Sequence, residues 1–512
     1  MPVVVPGLDP VRPVALEVLV QPNIIVFAPD DWGRDSWKVY ADTLGTGVTV
    51  SNQAYTPNLD AHAQAGVRFN RAYVQPWCSP TRAQWMTGRW GYKTGIGALA
   101  QDGDQSLLDA EVCLPRALKL ATGGAYTCGV FGKWHLAGFS NAGGPIEHPV
   151  RCGFDEFAGS LINMELPESY YSWPLSRARR TRDGIETSQE LVQDYQPIWL
   201  IEEALRWVAR TPQPWFLYLP ISMPHGPMHR PPAEMYRTDV WSLDDTFPDQ
   251  LGARNSGVSI PYYRAMVEAM DYGFGQLMNG LPQEVRAQTT TIVWADNGTA
   301  AVNVPIPPFP PGRSKQTVYD LGIRVPLVVA GAKVEKPGRT TEQIVSACDL
   351  LETVIDLAEG SSLAVPLPSV PYGSGTRNSK SFMPTLRNTA YGVGAQRLAT
   401  QQDFFQPNIP HLNAGVSGDR CYVKTIESGT GAGTWKIIRK AGSGTGGWPS
   451  VTGGASHTGT GIANYEFYDL VANPNEIAAS NLILGPFTLT PEQYAAYTEL
   501  VADYTTTVWS SY

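Results

Sequence analysis

Residues 23–31 read Asn23-Ile24-Ile25-Val26-Phe27-Ala28-Pro29-Asp30-Asp31, a short β-rich run that leads straight into two carboxylates. The arrangement recurs. Tyr126–Phe131 leads to Lys133 and His135, Trp215–Pro220 to His225, and Thr289–Trp294 to Asp296-Asn297; a fifth β-rich run is Val325–Ala330. Between these runs lie helical stretches at Thr81–Thr87, Leu114–Ala121, Pro197–Arg210, Tyr262–Asn279 and Ala347–Ala358. Strands alternating with helices predict an α/β fold, a large mainly parallel or mixed sheet sandwiched by helices. Ligands of open α/β sheets bind in the crevice beyond the carboxyl ends of the strands. Four strands that deliver their polar residues at the same end therefore predict a site there. In the stretch at Tyr262, Met266, Met270, Phe274 and Leu277 recur at three- and four-residue spacing, a stripe that reads as core.

Length and composition bound the function. The 512 residues suffice for two or three domains, and 43% hydrophobic with 17% charged residues fits a folded enzyme and argues against disorder. A net charge of -9 gives no support to nucleic-acid binding or to docking on an anionic membrane. No stretch approaches the twenty or so apolar residues of a membrane helix. The N-terminal extension, residues 1–21, is apolar but broken by Pro2, Pro6, Pro10 and Pro13, so no secretory signal is visible. That fits a cytoplasmic chain, or a periplasmic or secreted one whose signal has been removed. Cys78, Cys113, Cys128, Cys152, Cys348 and Cys421 are spread too thinly for a disulfide framework and contain no CxxC pair. From Ser428 to Ile462 the chain is rich in Gly, Ser and Thr around a strand-like Thr434–Arg439. Its GTGAGT lacks the strand–turn–helix context of a phosphate loop and reads as hairpin loops. A helix at Pro491–Tyr504 closes a smaller, partly antiparallel C-terminal subdomain, giving 22–390 as the catalytic domain and 391–512 as the subdomain.

Three clusters carry chemistry. Cys78-Ser79-Pro80-Thr81-Arg82, followed by Thr87-Gly88-Arg89, sets a cysteine before a helix starting at Thr81, whose positive end would face an anion. Asp30-Asp31 and Asp296-Asn297 offer hard oxygen ligands that suit Ca²⁺ or Mg²⁺ and not zinc. Adjacent acids at a strand end repel unless a cation lies between them. The third cluster is cationic: Gly132-Lys133-Trp134-His135, Met223-Pro224-His225-Gly226-Pro227, and Gly312-Arg313-Ser314-Lys315 ahead of Asp320-Leu321-Gly322-Ile323-Arg324-Val325-Pro326. Singly, each is bland. A lone lysine is usually surface and a lone histidine structural, the reading given to His62, His148, His229, His411 and His457, with His229 the nearest to an exception.

Together, and in this order, the segments resemble the type I, formylglycine-dependent sulfatases (arylsulfatase-like) of the alkaline phosphatase superfamily. Cys78 to Gly88 matches the signature C-x-P-x-R-x-x-x-x-T-G without a gap. The segment at 132 resembles G-K-W-H, that at 224 P-H-x-P, and that at 294 S-D-N-G. Gly153–Phe157 and Glu466–Glu476 resemble further family segments, so the likeness spans most of residues 22 to 485. The resemblance implies an alkaline phosphatase-like fold with an antiparallel sheet in the C-terminal subdomain. It implies a sulfuric ester hydrolase whose nucleophile is Cys78 oxidised to formylglycine by a formylglycine-generating enzyme. It implies one Ca²⁺ (or Mg²⁺) held by Asp30, Asp31, residue 78, Asp296 and Asn297, with Arg82, Lys133, His135, His225 and Lys315 around the sulfate. An acidic protein would thus hold a locally cationic pocket. Asp320 and Leu321 replace the usual Glu and Gly, a departure expected to touch packing more than chemistry.

The nearest rival is a phosphonate monoester or phosphodiester hydrolase of the same superfamily. Those relatives tend to carry Asp-Gln and Asp-His at the metal, where this chain has Asp30-Asp31 and Asp296-Asn297. A Ser or Thr nucleophile would suit alkaline phosphatase chemistry, and a non-catalytic binder of sulfated glycans would leave Cys78 unmodified. The substrate is expected to be a small-molecule or carbohydrate sulfate ester. Trp32, Trp77, Trp90 and the segment Met164–Trp173 are the candidates for shaping its pocket.

Overall fold

The computed structural model describes residues 21–507 except 46–47, 98, 101–105, 139–144, 164–168, 241–255, 368–375, 391–395, 404–419, 441–464, 477–480 and 484–487. Residues 1–20 of the expected extension at 1–21, much of the Gly/Ser/Thr-rich segment, part of Met164–Trp173, and His411 and His457 lie outside the described residues.

Ten strands form one sheet: β1 (Asn23–Phe27), β2 (Gly66–Tyr73), β3 (Thr127–Phe131), β4 (Glu156–Gly159), β5 (Trp173–Thr181), β6 (Gly184–Val192), β7 (Trp215–Leu219), β8 (Thr289–Trp294), β9 (Leu327–Gly331) and β10 (Arg339–Ser346). Their order is β10-β2-β9-β8-β1-β7-β3-β4-β5-β6. The run β8-β1-β7-β3-β4 is parallel, whereas β9 opposes both its neighbours, as does β5. β1, β7 and β8 are buried along their whole length, which is why each, after Asn23 at the start of β1, is continuously apolar or β-branched. Phe27 stands opposite both Leu219 and Val293, so three central strands end level and release their loops side by side.

Helix Ser256–Gly280 packs on both Pro57–Gln64 and Gln196–Arg210, and Cys78–Thr87, Leu114–Ala121 and Leu350–Leu357 form a second group. Met266, Met270, Phe274 and Leu277 are buried, as their spacing predicts, with the Phe274 ring edge-on to Phe27 at 5.2 Å. The helix expected from Thr81 begins at Cys78, so residue 78 lies within the first turn. The fifth predicted strand is antiparallel, and its carboxyl end points away from the site. Sequence patterning passed over β2, β4, β10 and the β5–β6 hairpin: β6 and parts of β5 and β10 face solvent and carry arginine, threonine and glutamate, while β2 is buried but interrupted by Arg68, Asn70 and Arg71, and β4 is only four residues long.

The smaller antiparallel sheet comprises β11 (Ala399–Asp403), β12 (Arg420–Ile426), β13 (Gly433–Arg439) and β14 (Tyr465–Asp469). GTGAGT closes the β12–β13 hairpin, with Gly429, Gly431 and Gly433 at positive φ. Helix Pro491–Thr507 covers one face, where Trp435 stacks on Phe467 and Tyr497 and Leu500 are buried. The other face, through Val423, Ile438 and Tyr468, packs on Tyr73, Ile323 and Ile344 of the large unit. All six cysteines are buried and none forms a disulfide, and among the described residues no helix is long and apolar enough to cross a membrane.

Candidate active site

The loops that follow β1, β3, β7 and β8 are laced by backbone hydrogen bonds. Asp30 N–H donates to Met223 O (3.1 Å), Asp296 N–H to Pro29 O (3.0 Å) and Lys133 N–H to Pro220 O (2.9 Å). The glycines of two motifs are explained by that closeness. A Cβ on Gly132, whose φ is 138°, would lie 2.2 Å from Pro220 O, and one on Gly298 would lie 1.7 Å from Leu321 O. Asp31 (φ 63°) and His135 (φ 57°) take the left-handed conformation without being glycine, a strain that concentrates at functional sites. Tyr263 Oη–H holds Asp31 by donating to its carbonyl (2.8 Å), and His135 N–H donates to Leu161 O (2.8 Å).

The side chains then converge. Arg82 donates from Nε (3.0 Å) and Nη2 (2.8 Å) to Asp296 Oδ2 and from Nη2 to Asp30 Oδ2 (3.1 Å), and it bonds the Lys133 carbonyl. Lys133 Nζ pairs with Asp30 Oδ2 and Lys315 Nζ with Asp31 Oδ1. Asn297 Nδ2 donates to Asp31 Oδ1 (2.7 Å), and His225 Nε2 lies 3.8 Å from Asp31 Oδ2. Cys78 Sγ is 3.3 Å from His135 Nδ1. His225, with 22% of its side chain exposed, and Lys315, with 9%, are the most open of these groups. Every candidate site residue from the sequence is thus in one cluster.

Burial works to raise the Asp30 carboxyl, but Lys133, His225, Arg82 and Lys315 outweigh it and hold that group well below the ordinary range. Burial also pushes Asp296 up to about 7; the charge of Asp30 adds to the rise and Arg82 opposes it. His135 is held well below its usual value by burial and then by Lys133 and Arg82, and His225 is lowered by burial against the pull of Asp31. Burial pushes the Cys78 thiol up, so the unmodified side chain is a neutral thiol and a poor nucleophile.

A divalent cation fits these residues. Asp30 Oδ1 and Asn297 Oδ1 are buried without a hydrogen-bond partner, hard oxygens of the kind Ca²⁺ and Mg²⁺ take. Ligand atoms of Asp30, Cys78 and Asp296 lie within 4.8 Å of one another, as do those of Asp30, Asp31 and His225. The charge count agrees. Asp30, Asp31 and Asp296 balance Arg82, Lys133 and Lys315, so a divalent ion would leave a positive surplus for an anionic substrate.

The family model for sulfatases matches residues 22–361. The chain belongs to the sulfatase family. Among similar sulfatases, N-acetylgalactosamine-6-sulfatase of Sus scrofa is 29% identical over 371 residues, covering 66% of this chain and 62% of that protein. Arylsulfatase A of Homo sapiens is 27% identical over 521 residues, 95% of this chain and 88% of its own length. The match thus spans under two thirds of the first of these relatives. The crystal structure of Ps i-CgsB superposes on this sulfatase with a TM-score of 0.66 at 21% identity, over 96% of this chain and 94% of that one, a likeness of fold.

Several supporting residues were not read from the sequence. Thr299 accepts from Gly33 N–H (3.1 Å) and donates to Asp35 Oδ1 (2.8 Å), and Asn52 donates to Asp35 Oδ2 (2.6 Å), bracing the turn that carries Asp30 and Asp31. Thr299 adjoins the Asp296 segment, a nearness that could have flagged it; Asn52 has no such signal. Trp32, a candidate for the pocket's entrance, is wholly buried and stacks on Trp37 at 4.7 Å. Trp90 is buried and Trp77 keeps partial exposure. Tyr170, in the described part of Met164–Trp173, is buried beneath the His225 loop. A cavity of about 450 Å³ beside β10 shares no residue with the cluster, and its Arg71 and Arg397 are paired with Glu342 and Asp349.

Proposed function

We propose that the chain hydrolyses a sulfate ester to an alcohol or phenol and inorganic sulfate, with Cys78 oxidised to formylglycine and a divalent cation, Ca²⁺ in preference to Mg²⁺, held by Asp30, Asp31, Asp296, Asn297 and residue 78. The observation that carries this reading is the meeting of Cys78, Asp30 and Asp296 beneath a rim of cationic side chains. When present, the hydrated aldehyde supplies a hydroxyl nucleophile and the cation supplies Lewis-acid pull on sulfate oxygens. The remaining work falls to the chain's own groups. Lys133 and Lys315 bind sulfate oxygens and offset charge that grows in the transition state. Asp296, with its raised proton affinity, receives a proton from the nucleophile at position 78. His225 Nδ1 faces the Gly226 carbonyl at 2.8 Å, and a carbonyl only accepts, so Nδ1 carries hydrogen; the proton given to the leaving oxygen is the second one, carried on Nε2 when the ring is the imidazolium facing Asp31. His135, beside position 78, takes the second proton that lets sulfate depart, and Arg82 orients the acids.

The substrate class is a carbohydrate or aryl sulfate, supported by relatives named for an amino-sugar sulfate and for aryl sulfates. Residues 22–390 form the catalytic domain and 391–512 the subdomain, and maturation needs a formylglycine-generating enzyme to act on the segment at 78. The test compares turnover of nitrophenyl sulfate with that of a nitrophenyl phosphodiester, using protein co-produced with that enzyme, alongside peptide mass analysis of residue 78. Preference for sulfate and an aldehyde at 78 support the reading. Preference for the diester selects the phosphonate and phosphodiester alternative, and an untouched thiol in inactive protein selects the glycan-binding one.

A further inference from the structure

The loop that carries His225 makes little structure of its own. Pro224, Pro227, Pro231 and Pro232 have no N–H, and within the turn His225 N–H donates to Ser222 O at 2.9 Å. Its carbonyls are instead taken by side chains from elsewhere. Tyr170 Oη–H spans His225 O (2.7 Å) and Ser222 O (3.1 Å), and Tyr171 Oη–H donates to Arg230 O (2.6 Å). His229 Nδ1 faces Pro227 O at 3.0 Å, which fixes its hydrogen there, so His229 Nε2 accepts from Tyr195 Oη at 3.0 Å. The Tyr170 ring stacks on His229 with centroids 4.3 Å apart, and Tyr195 closes the cluster at 5.6 Å from the same imidazole. Tyr170, Tyr195 and His229 are all buried. His229 is thus neither a surface residue nor a ligand. It is the neutral centre of an aromatic clamp.

We infer that Tyr170, backed by the Tyr195–His229 pair, is a positioning residue that sets where His225 Nε2 points. The inference rests on the reading of His225 as proton donor to the leaving oxygen. The Tyr170 hydroxyl grips the carbonyl of His225 itself, while the imidazole's Nδ1 is fixed by the next carbonyl, so one side chain sets the backbone from which the other projects. Loss of that grip lets the imidazole drift, and a drift of about 1 Å is enough to cost on the order of a hundredfold in rate. The damage falls where proton donation matters most. A nitrophenolate leaves unaided, whereas an alkoxide of a sugar or alkyl sulfate does not, so Tyr170→Phe should slow poor leaving groups selectively.

The experiment measures kcat and KM for nitrophenyl sulfate and for an alkyl sulfate in the matured wild-type enzyme, Tyr170→Phe, His225→Gln and the double variant, with thermal unfolding of each. Tyr170→Phe is expected to lower kcat for the alkyl sulfate about tenfold or more, to change nitrophenyl sulfate less than threefold, and to leave KM nearly constant. Added to His225→Gln it should do nothing further, because residues acting through one group are not additive. An equal loss for both substrates, or an additive loss in the double variant, overturns the inference while leaving His225 as the acid. If His225→Gln itself shows no dependence on the leaving group, the role of His225 falls and the inference falls with it. His229→Gln supplies the second probe and is expected to give the same selective loss; a uniform loss there removes the clamp's backing role.

Discussion

The molecule buries two clusters of acids and bases, and they end differently. At the site, Asp30, Asp31 and Asp296 meet Arg82, Lys133 and Lys315, yet Asp30 Oδ1 and Asn297 Oδ1 are left without partners. Between the large sheet and the small one, Asp320 and Glu476 meet Arg34, Arg324 and Lys436, and each carboxylate oxygen has a cation or an N–H beside it, Glu476 Oε1 through its ion pair with Lys436 and not through a hydrogen bond. Lys436 Nζ lies 3.0 Å from Asp320 Oδ1 and 2.7 Å from Glu476 Oε1. Arg324 is 3.3 Å and Arg34 3.9 Å from Asp320 Oδ2, and the remaining Glu476 oxygen accepts Asp320 N–H. The replacement of the family's usual Glu by Asp320 therefore touches a buried ion network that joins the two sheets, and is more than a matter of packing. A buried cluster that closes on itself holds the fold, whereas one that leaves hard oxygens open awaits a ligand. The first substitution to try follows from this contrast: Cys78→Ala should reduce sulfate-ester turnover on the order of 10⁴-fold or more, since the nucleophile is gone, with the melting temperature unchanged. A variant that loses turnover only by unfolding would erase the distinction.

Lys436→Met should show the mirror image. It strands Asp320 and Glu476 without their shared cation, and breaking such a buried pair costs about 3–5 kcal/mol. Denaturant unfolding should register that loss while kcat per folded molecule stays within about twofold of wild type. A Lys436 variant that unfolds normally but turns over poorly would show that the closed cluster belongs to the chemistry after all.

A chelator should separate the clusters from the other side. A cation bound at a hundredfold above its Kd adds about 2.7 kcal/mol to stability, so its removal should lower the melting temperature. The same decrement is expected in Lys436→Met, because distant sites act additively. A shrunken decrement would reveal coupling through Arg34, which stands three residues beyond Asp31 and reaches both Asp320 and the Pro474 carbonyl.

How much of this was legible beforehand follows the same division. The central strands could be read from their apolar runs, which end in Asp30-Asp31 or Lys133-Trp134-His135 within a few residues of chain, whereas Cys78, Arg82 and Lys315 follow no such run and were marked only by the family resemblance. The closed cluster could not. Arg34, Asp320, Lys436 and Glu476 lie up to 442 positions apart and look singly like surface charges, and only the docking of β13 against the large sheet brings them together. Tyr170 was legible only as part of the segment Met164–Trp173 and Tyr195 not at all, since a hydroxyl that holds a carbonyl or an imidazole nitrogen leaves no trace in sequence.

A third way of burying a titratable group is to give it no counter-charge, and His62 does that. It lies against Phe274 with ring centroids 5.2 Å apart, and burial lowers its imidazole from 6.5 to about 4 while backbone hydrogen bonds pull weakly the other way. Between those values the unfolded chain holds a proton that the folded chain refuses, so stability falls as pH drops through the window. From pH 7 to pH 5 the loss attributable to this one group is about 2 kcal/mol by linkage. His62→Phe should flatten that part of the stability–pH curve, measured by urea unfolding at each pH, while leaving turnover at pH 7 unchanged. Were the slope to persist in full, protons would have to be taken up elsewhere, and the paired clusters, not the lone histidine, would set the acid limit of the fold.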